Sequence, residues 1–233
     1  MSKTSLLCII PISTTGMTDE LRRMHPSTKN LDISFIDGSG LEKCPPCIEN
    51  NEQAIESANA ILPRAISAMK SHLFDGILVC CFSDHPLVYE LRQNCVIPVL
   101  GIFEAAIEDA TSSAGRFGIV TTARSWETIL MQSVRDLHYD QRCAGIRATG
   151  LSVLDLAALP RNEVIETIKA SIDLLRESGA TSIILGCAGM AGMENSIGAL
   201  LPSEIRLIDG VRSGLNCLKG SIQGPTCLRE ERL

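Results

Sequence analysis

The amino-acid sequence predicts an α/β fold in two similar lobes with mostly parallel sheets. Short β-like apolar runs alternate along the chain with longer helical patterns, the alternation that βαβ units produce. The first half of the pattern returns in the second at a nearly constant spacing. The strand ends open into turns of small and hydroxyl residues, where open α/β sheets bind ligands. With 233 residues, the chain is long enough to bury a core without disulfides or metals. Its 45% apolar and 21% charged residues are ordinary for a globular protein and exclude disorder. A net charge of −6 and only 3% aromatic residues argue against nucleic acid, which asks for basic patches and stacking rings. The apolar runs at 6–12 and 77–81 are too short to span a bilayer. The first residues lack the long apolar stretch and the cleavage site of a signal peptide. Ten cysteines spread over so large a chain read as reduced thiols of a cytoplasmic protein rather than a disulfide framework.

Strands are expected at 5–11, 31–36, 75–81, 96–100, 116–121, 143–148, 181–186 and 205–208. The clearest helix is Asn51–Ser71, where Ala54, Ala58, Ile61, Leu62, Ala65, Ile66 and Met69 recur with helical spacing. Pro63 inside it predicts a kink. A second helix over 161–178 carries Val164, Ile165, Ile168, Ile172 and Leu175 on one face. Gly179 marks its end.

Three segments match in order between the halves. Ile9-Ile10-Pro11-Ile12 resembles Ile119-Val120-Thr121-Thr122, Gly76 to Cys81 resembles Ser182 to Cys187, and Pro98 to Gly101 resembles Arg206 to Asp209. This repeat predicts two Rossmann-like lobes related by a pseudo-two-fold axis, with the active site in the cleft between them. Residues 1–98 and 209–233 would form the first lobe and residues 99–208 the second. No GxGxxG or GxxxxGK[ST] motif occurs at the strand ends, which argues against dinucleotides and nucleoside triphosphates.

Two thiols stand at matching places. Cys81 ends one apolar run and opens Phe82-Ser83-Asp84-His85-Pro86; Cys187 ends another and opens Ala188-Gly189-Met190-Ala191-Gly192. A helix starting just after each would lower its pKa. Thiols on opposite sides of a cleft suit a two-base racemase, in which one thiolate removes the proton beside a carbonyl and the other thiol reprotonates the opposite face. A single strand-end cysteine is more often a core residue; a matching pair favours chemistry. Cys80 points to the other face of its strand and reads as core.

The segment from Cys81 to Pro86 resembles the first cysteine motif of the hydantoin and allantoin racemases, members of the aspartate/glutamate racemase superfamily. Leu185-Gly186-Cys187-Ala188-Gly189-Met190-Ala191 is similar to the second. Pro98 to Ala106, Arg116 to Thr122 and Ile208 to Val211 resemble the family's central segment, second-lobe strand and C-terminal turn. The resemblance spans about residues 6 to 220. It implies two α/β lobes, cofactor-independent racemisation by Cys81 and Cys187, and homo-oligomers. The family's usual Asn-Pro-Asn-Thr loop is replaced here by Ile10-Pro11-Ile12-Ser13-Thr14; Ser83 stands where glycine is usual, and His85 is shifted in before Pro86.

The strand-end turns hold few charges, namely Asp84, His85 and Arg124, which suits a neutral ureide better than a dicarboxylate. The candidate substrate-binding residues are Pro11, Ser13, Thr14, Phe82, Ser83, Glu104, Thr121, Thr122, Ala188 and Gly189. The hydroxyls would bind the ring, and the Gly189 N–H would polarise a carbonyl, although a Ser or Thr taken singly is more often a helix cap. No lysine lies in these turns, which removes a pyridoxal Schiff base, and no cofactor is expected. Cys44-Pro45-Pro46-Cys47 lacks a second CxxC and makes a zinc site unexpected. Of the four histidines only His85 lies near the site, and a surface-loop histidine is the default for it. The tail from Gln223, with Cys227, reads as a mobile end. The expected activity is therefore racemisation of a 5-substituted hydantoin or allantoin. The alternatives are an amino-acid racemase of the same superfamily and a non-catalytic binding or regulatory protein on this fold.

Overall fold

A computed structural model describes residues 3–14 and 16–223. In chain order the elements are β1 (Thr4–Ile10), α1 (Gly16–Met24), β2 (Leu31–Asp37), α2 (Asn51–Ser71), β3 (Gly76–Val79), α3 (Pro86–Asn94), β4 (Val99–Gly101) and α4 (Ile102–Thr111). They continue with β5 (Arg116–Thr121), α5 (Ser125–Asp136), β6 (Cys143–Ala148), α6 (Val153–Ala158), α7 (Arg161–Glu177), β7 (Ala180–Leu185), α8 (Glu194–Gly198), β8 (Arg206–Asp209) and α9 (Gly210–Gln223). The reading of the tail, Cys227 included, falls on 224–233 and lies outside the described residues.

The chain divides into two compact units. The first takes the chain up to Cys81, then His85–Ile102, and again from Arg212 onward; the second takes Phe82–Asp84 and Phe103–Val211. Each holds a four-stranded parallel sheet, in the order β2-β1-β3-β4 in the first and β6-β5-β7-β8 in the second. This is the α/β architecture that the alternating pattern predicts.

Burial follows position in the sheet. The inner strand β1 is fully buried from Leu6 to Ile10, so it reads as one continuous apolar run. The edge strand β2 is half-buried along its length and tolerates Asp32 and Ser34. Helix α2 lays Ala54, Ala58, Ile61 and Ala65 on the first core, and α7 lays Val164, Ile168, Ile172 and Leu175 on the second. Helix α7 stops at Glu177, and Gly179 then turns with φ +91°, a conformation that glycine adopts without strain. Helix α2 begins where the Asn50 side chain accepts from the Gln53 N–H at 2.9 Å.

Helix α2 continues through Pro63, where the sequence predicts a kink, without ending there. Proline removes the N–H that would meet the Asn59 carbonyl, but Asn59 and Pro63 both lie on the exposed face, where water can take that carbonyl, while Ile61 and Ala65 hold the buried face down. The repeat is also displaced by one residue in its first segment. Strand pairing sets Ile9 beside Val79 and Val120 beside Leu185. Ile9 therefore corresponds to Val120, not Ile119, and Pro11 to Thr122. The other two matches hold, since Val79 pairs with Gly101 as Leu185 pairs with Asp209. Among the described residues no helix is long and apolar enough to cross a membrane.

Candidate active site

Within the first unit, β1 opens into residues 11–14, and this segment is clamped through its backbone. The buried Pro11 carbonyl accepts from the Ser57 hydroxyl of α2 and, at 3.8 Å, from the Cys44 thiol. The Ile12 carbonyl accepts from Gly38 N–H at 2.8 Å, and Ser13 N–H donates to the Pro45 carbonyl at 2.9 Å. The Thr14 hydroxyl donates to the Pro46 carbonyl at 2.7 Å. The CxxC is thus a structural clamp. Cys44 and Cys47 are both thiols, with burial pushing each pKa up. A Cβ on Gly38 would overlap the Cys44 sulfur, so only glycine lets the two segments approach so closely. Thr14 thereby spends its proton on the fold rather than holding it ready for a ligand.

Strand β3 ends at Val79, and the Cys80 N–H still reaches the Ile9 carbonyl at 2.8 Å. The Cys80 side chain is buried, as the alternation predicts. Cys81 comes next and is half-buried. The second unit repeats this step. Strand β7 ends at Leu185, the Gly186 N–H reaches the Val120 carbonyl at 2.7 Å, and half-buried Cys187 comes next. Each cysteine is therefore the second residue past the end of its strand, and the residue before it is tied to the neighbouring strand.

The turns after the two cysteines differ from the helix starts that the sequence predicts. A four-residue turn separates Cys81 from α3, and the helix is capped by His85, whose Nδ1 accepts from Leu87 N–H at 3.2 Å. Cys187 caps only a single 3-10 turn, Ala188–Met190. Neither thiol heads an α-helix directly, so the helix field expected to lower both is weakened. Burial instead pushes the Cys187 thiol up to about 11, opposed by the N–H groups of Gly189 and Met190. The Gly189 N–H points at the Cys187 sulfur, 3.4 Å away; it is engaged there rather than free for a substrate carbonyl. The far end of this turn is tied by buried Asp209, which accepts from Gly192 N–H at 3.2 Å and Val211 N–H at 2.8 Å.

Phe82 and Ser83 are buried, as are Thr121, Thr122 and Ala188; Ser13, Glu104 and Gly189 are half-buried. The Phe82 ring stands edge-on to Phe103, with centroids 5.4 Å apart. A Cβ on Gly186 would lie 3.2 Å from the same ring. Phe82 thus packs in the second unit beside the residue that precedes Cys187. The carbonyls of Thr121 and Thr122 accept from Thr149 and Gly150 N–H at 2.8 and 3.0 Å, which fixes the end of β5. Asp84 and Arg124 are exposed.

His85 is the largest correction. Expected in a surface loop, it is 1% exposed, and burial lowers its pKa to about 4. Ser57 and Gly38 escaped the sequence reading altogether. The one local signal was a serine set into the apolar stripe of α2 between Ala54 and Ala58. Among the described residues no group of three or more His, Cys, Asp or Glu side chains is placed to hold a metal.

Comparison with known proteins finds relatives of the same fold. The family model described as Asp/Glu/Hydantoin racemase matches residues 6–218. An uncharacterised protein of Schizosaccharomyces pombe is 31% identical, over 94% of this chain and 92% of its own. The hydantoin racemase of Paenarthrobacter aurescens is 34% identical, over 82% of this chain and 80% of its own. The solved structure of the allantoin racemase from Klebsiella pneumoniae superposes with a TM-score of 0.83 at 26% identity, covering 94% of this chain and 88% of that one.

Proposed function

The chain belongs to the Asp/Glu/hydantoin racemase family and is an isomerase of that kind; we propose that it interconverts the two hands of a small ureide, a 5-substituted hydantoin or allantoin, by proton transfer through Cys81 and Cys187. One observation carries this reading. The two thiols occupy the same place in two sheets of the same strand order, each two residues beyond an inner strand and each preceded by a residue bonded to the neighbouring strand. One thiolate takes the proton from the carbon beside a carbonyl, and the electron pair moves into that carbonyl as an enolate. The other thiol then donates its proton to the opposite face of the planar carbon. The sulfur that donated is left as the thiolate, ready for the other hand, and no electrons are exchanged with a cofactor.

Cys187 enters this cycle as the donor. With burial pushing it up to about 11, its thiol form dominates at neutral pH, so Cys187 first meets the substrate as a proton donor. Only a thiolate is alkylated. The rate at which iodoacetamide labels Cys187 should therefore rise about tenfold for each pH unit between 7 and 9.5, with no plateau in that range. Peptide-resolved mass spectrometry reads it; rapid labelling of Cys187 at pH 7 would contradict the assignment.

A neutral ring also suits the strand ends of each unit. Pro11 and Ile12 in the first, and Phe82, Ser83, Thr121 and Thr122 in the second, are buried and uncharged, and a dicarboxylate brought against residues of this kind would lose its hydration. The test is incubation of enantiopure allantoin and one 5-alkyl hydantoin with the protein in D2O. α-Proton exchange and loss of optical rotation should appear together, above a protein-free control. Thermal stabilisation by these ligands without exchange would replace the reading with a binding protein. Racemisation of an amino acid alone would move the substrate class.

A further inference from the structure

His85 has one ring nitrogen in use and one that is not. Its Nδ1 accepts from the Leu87 N–H at 3.2 Å, capping α3. A neutral imidazole that accepts at Nδ1 carries its proton on Nε2. That Nε2–H is buried, and among the described residues no acceptor lies within its reach. An unpaired donor in a protein interior is unfavourable and calls for an explanation. Capping is not one, because Ser, Thr, Asp and Asn cap helices at least as well and leave no second group stranded. The ring also lies four residues after Cys81, in the turn that follows one of the two proposed acid–base thiols.

We propose that the Nε2–H of His85 is the hydrogen-bond donor to the substrate oxygen on which negative charge develops when the α-proton leaves. This rests on the racemase reading above, with a carbonyl beside the reacting carbon, and adds a catalytic residue to the two thiols. The proton stays on Nε2 throughout: the bond shortens as the enolate forms and relaxes as the carbon is reprotonated. Three features suit the group to this work. The cap on Nδ1 fixes the tautomer, so the donor is always presented. Burial keeps the ring neutral at physiological pH, so it polarises the oxygen without delivering a proton to it and quenching the carbanion. Burial also keeps water from the N–H until a ligand oxygen arrives. A ring 1% exposed meets a ligand oxygen only when the turn at 81–85 moves to admit it.

Two substitutions separate the donor from the cap. In His85→Asn the amide oxygen stands near Nδ1 and can still cap α3, but nothing remains at the place of Nε2. In His85→Gln the amide nitrogen reaches toward Nε2 while the cap is lost. His85→Asn should keep its thermal midpoint and lose at least 30-fold in kcat, with KM changed less than 3-fold. His85→Gln should melt lower yet turn over faster than His85→Asn. A purely structural histidine gives the reverse order, and His85→Asn within 3-fold of the wild-type kcat overturns the proposal. A second measurement uses the unaltered protein. With 15N-labelled histidine, the Nε2–H proton resonance should move downfield when the racemised substrate is added; an unmoved resonance overturns the proposal even if a variant fails to fold. If the unaltered protein racemises and His85→Asn does so equally, this inference alone fails. If the unaltered protein racemises neither allantoin nor the hydantoin, the functional reading fails and the inference falls with it.

Discussion

Replacing either Cys81 or Cys187 by serine should lower racemisation about 10²–10⁴-fold, the range that a positioned acid or base contributes. Serine keeps the size of the side chain, but its hydroxyl is far too weak an acid to serve as thiolate at neutral pH, so the effect is chemical rather than steric. Both thiols are half-buried, and the thermal midpoints of the two variants should stay within a few degrees of the parent. The two-base scheme makes a sharper demand on the same proteins. In Cys187→Ser, the Cys81 thiolate can still lift a proton from one hand and return a deuteron to the same face. In Cys81→Ser, Cys187 can do so only from the other hand, and burial of its thiol makes that exchange the slower of the two and one that quickens as pH rises. Each variant should therefore exchange the α-proton of one enantiomer without inverting it, and the two should choose opposite enantiomers. NMR of the separate enantiomers in D2O reads both outcomes. Full racemisation by either variant, or exchange of the same hand by both, would end the two-base assignment.

Gly186→Ala should be the most damaging substitution outside the thiols. A methyl group there would lie 2.6 Å from the Val120 carbonyl oxygen, 2.8 Å from the Ile119 side chain and 3.2 Å from the Phe82 ring. The first of these is backbone in the inner strand β5 and cannot swing aside. It is also the oxygen that accepts the Gly186 N–H at 2.7 Å. Relief therefore means moving the β7 end outward and carrying Cys187 with it. Overpacking of this kind costs about 1–3 kcal/mol in stability, and a displacement near 1 Å at the reacting group costs about 10²-fold in rate. Gly220→Ala is the control. Nothing lies within 4 Å of a Cβ at Gly220 in helix α9, so there alanine should add about 0.5–1 kcal/mol through helix propensity and leave turnover unchanged. Urea unfolding and racemisation rates on the same preparations compare the two. A Gly186→Ala protein with parental activity would show that the Cys187 turn is not held by this contact.

Much of the architecture was legible because it is written in local patterns. The strands at 116–121 and 143–148 appear where alternation and apolar runs place them, and α2 begins and ends where its apolar spacing does. Strand ends were read less well where pairing decides them. Strand β3 stops at Val79, two residues before the apolar run does, since the chain leaves the ladder after one last bond from Cys80 to Ile9. Strand β4 begins at Val99 rather than at 96; Pro98 has no N–H to offer a ladder, and Val96 is fully exposed.

By itself, then, the sequence determined the alternation of strands and helices, the repeat, and the two cysteines at matching strand ends, all of which depend on residues a few places apart. It could not tell that His85 is buried, that the Gly189 N–H is spent on the Cys187 sulfur, or that Ser57, 46 positions away along the chain, holds the Pro11 carbonyl. Those facts belong to the tertiary structure. Desolvation, steric overlap and the partner of each hydrogen bond are set by whichever atoms the fold brings within a few ångströms, and most of those atoms are distant in the chain. The thiols' positions are local in origin; the burial that raises the Cys187 thiol's pKa is not.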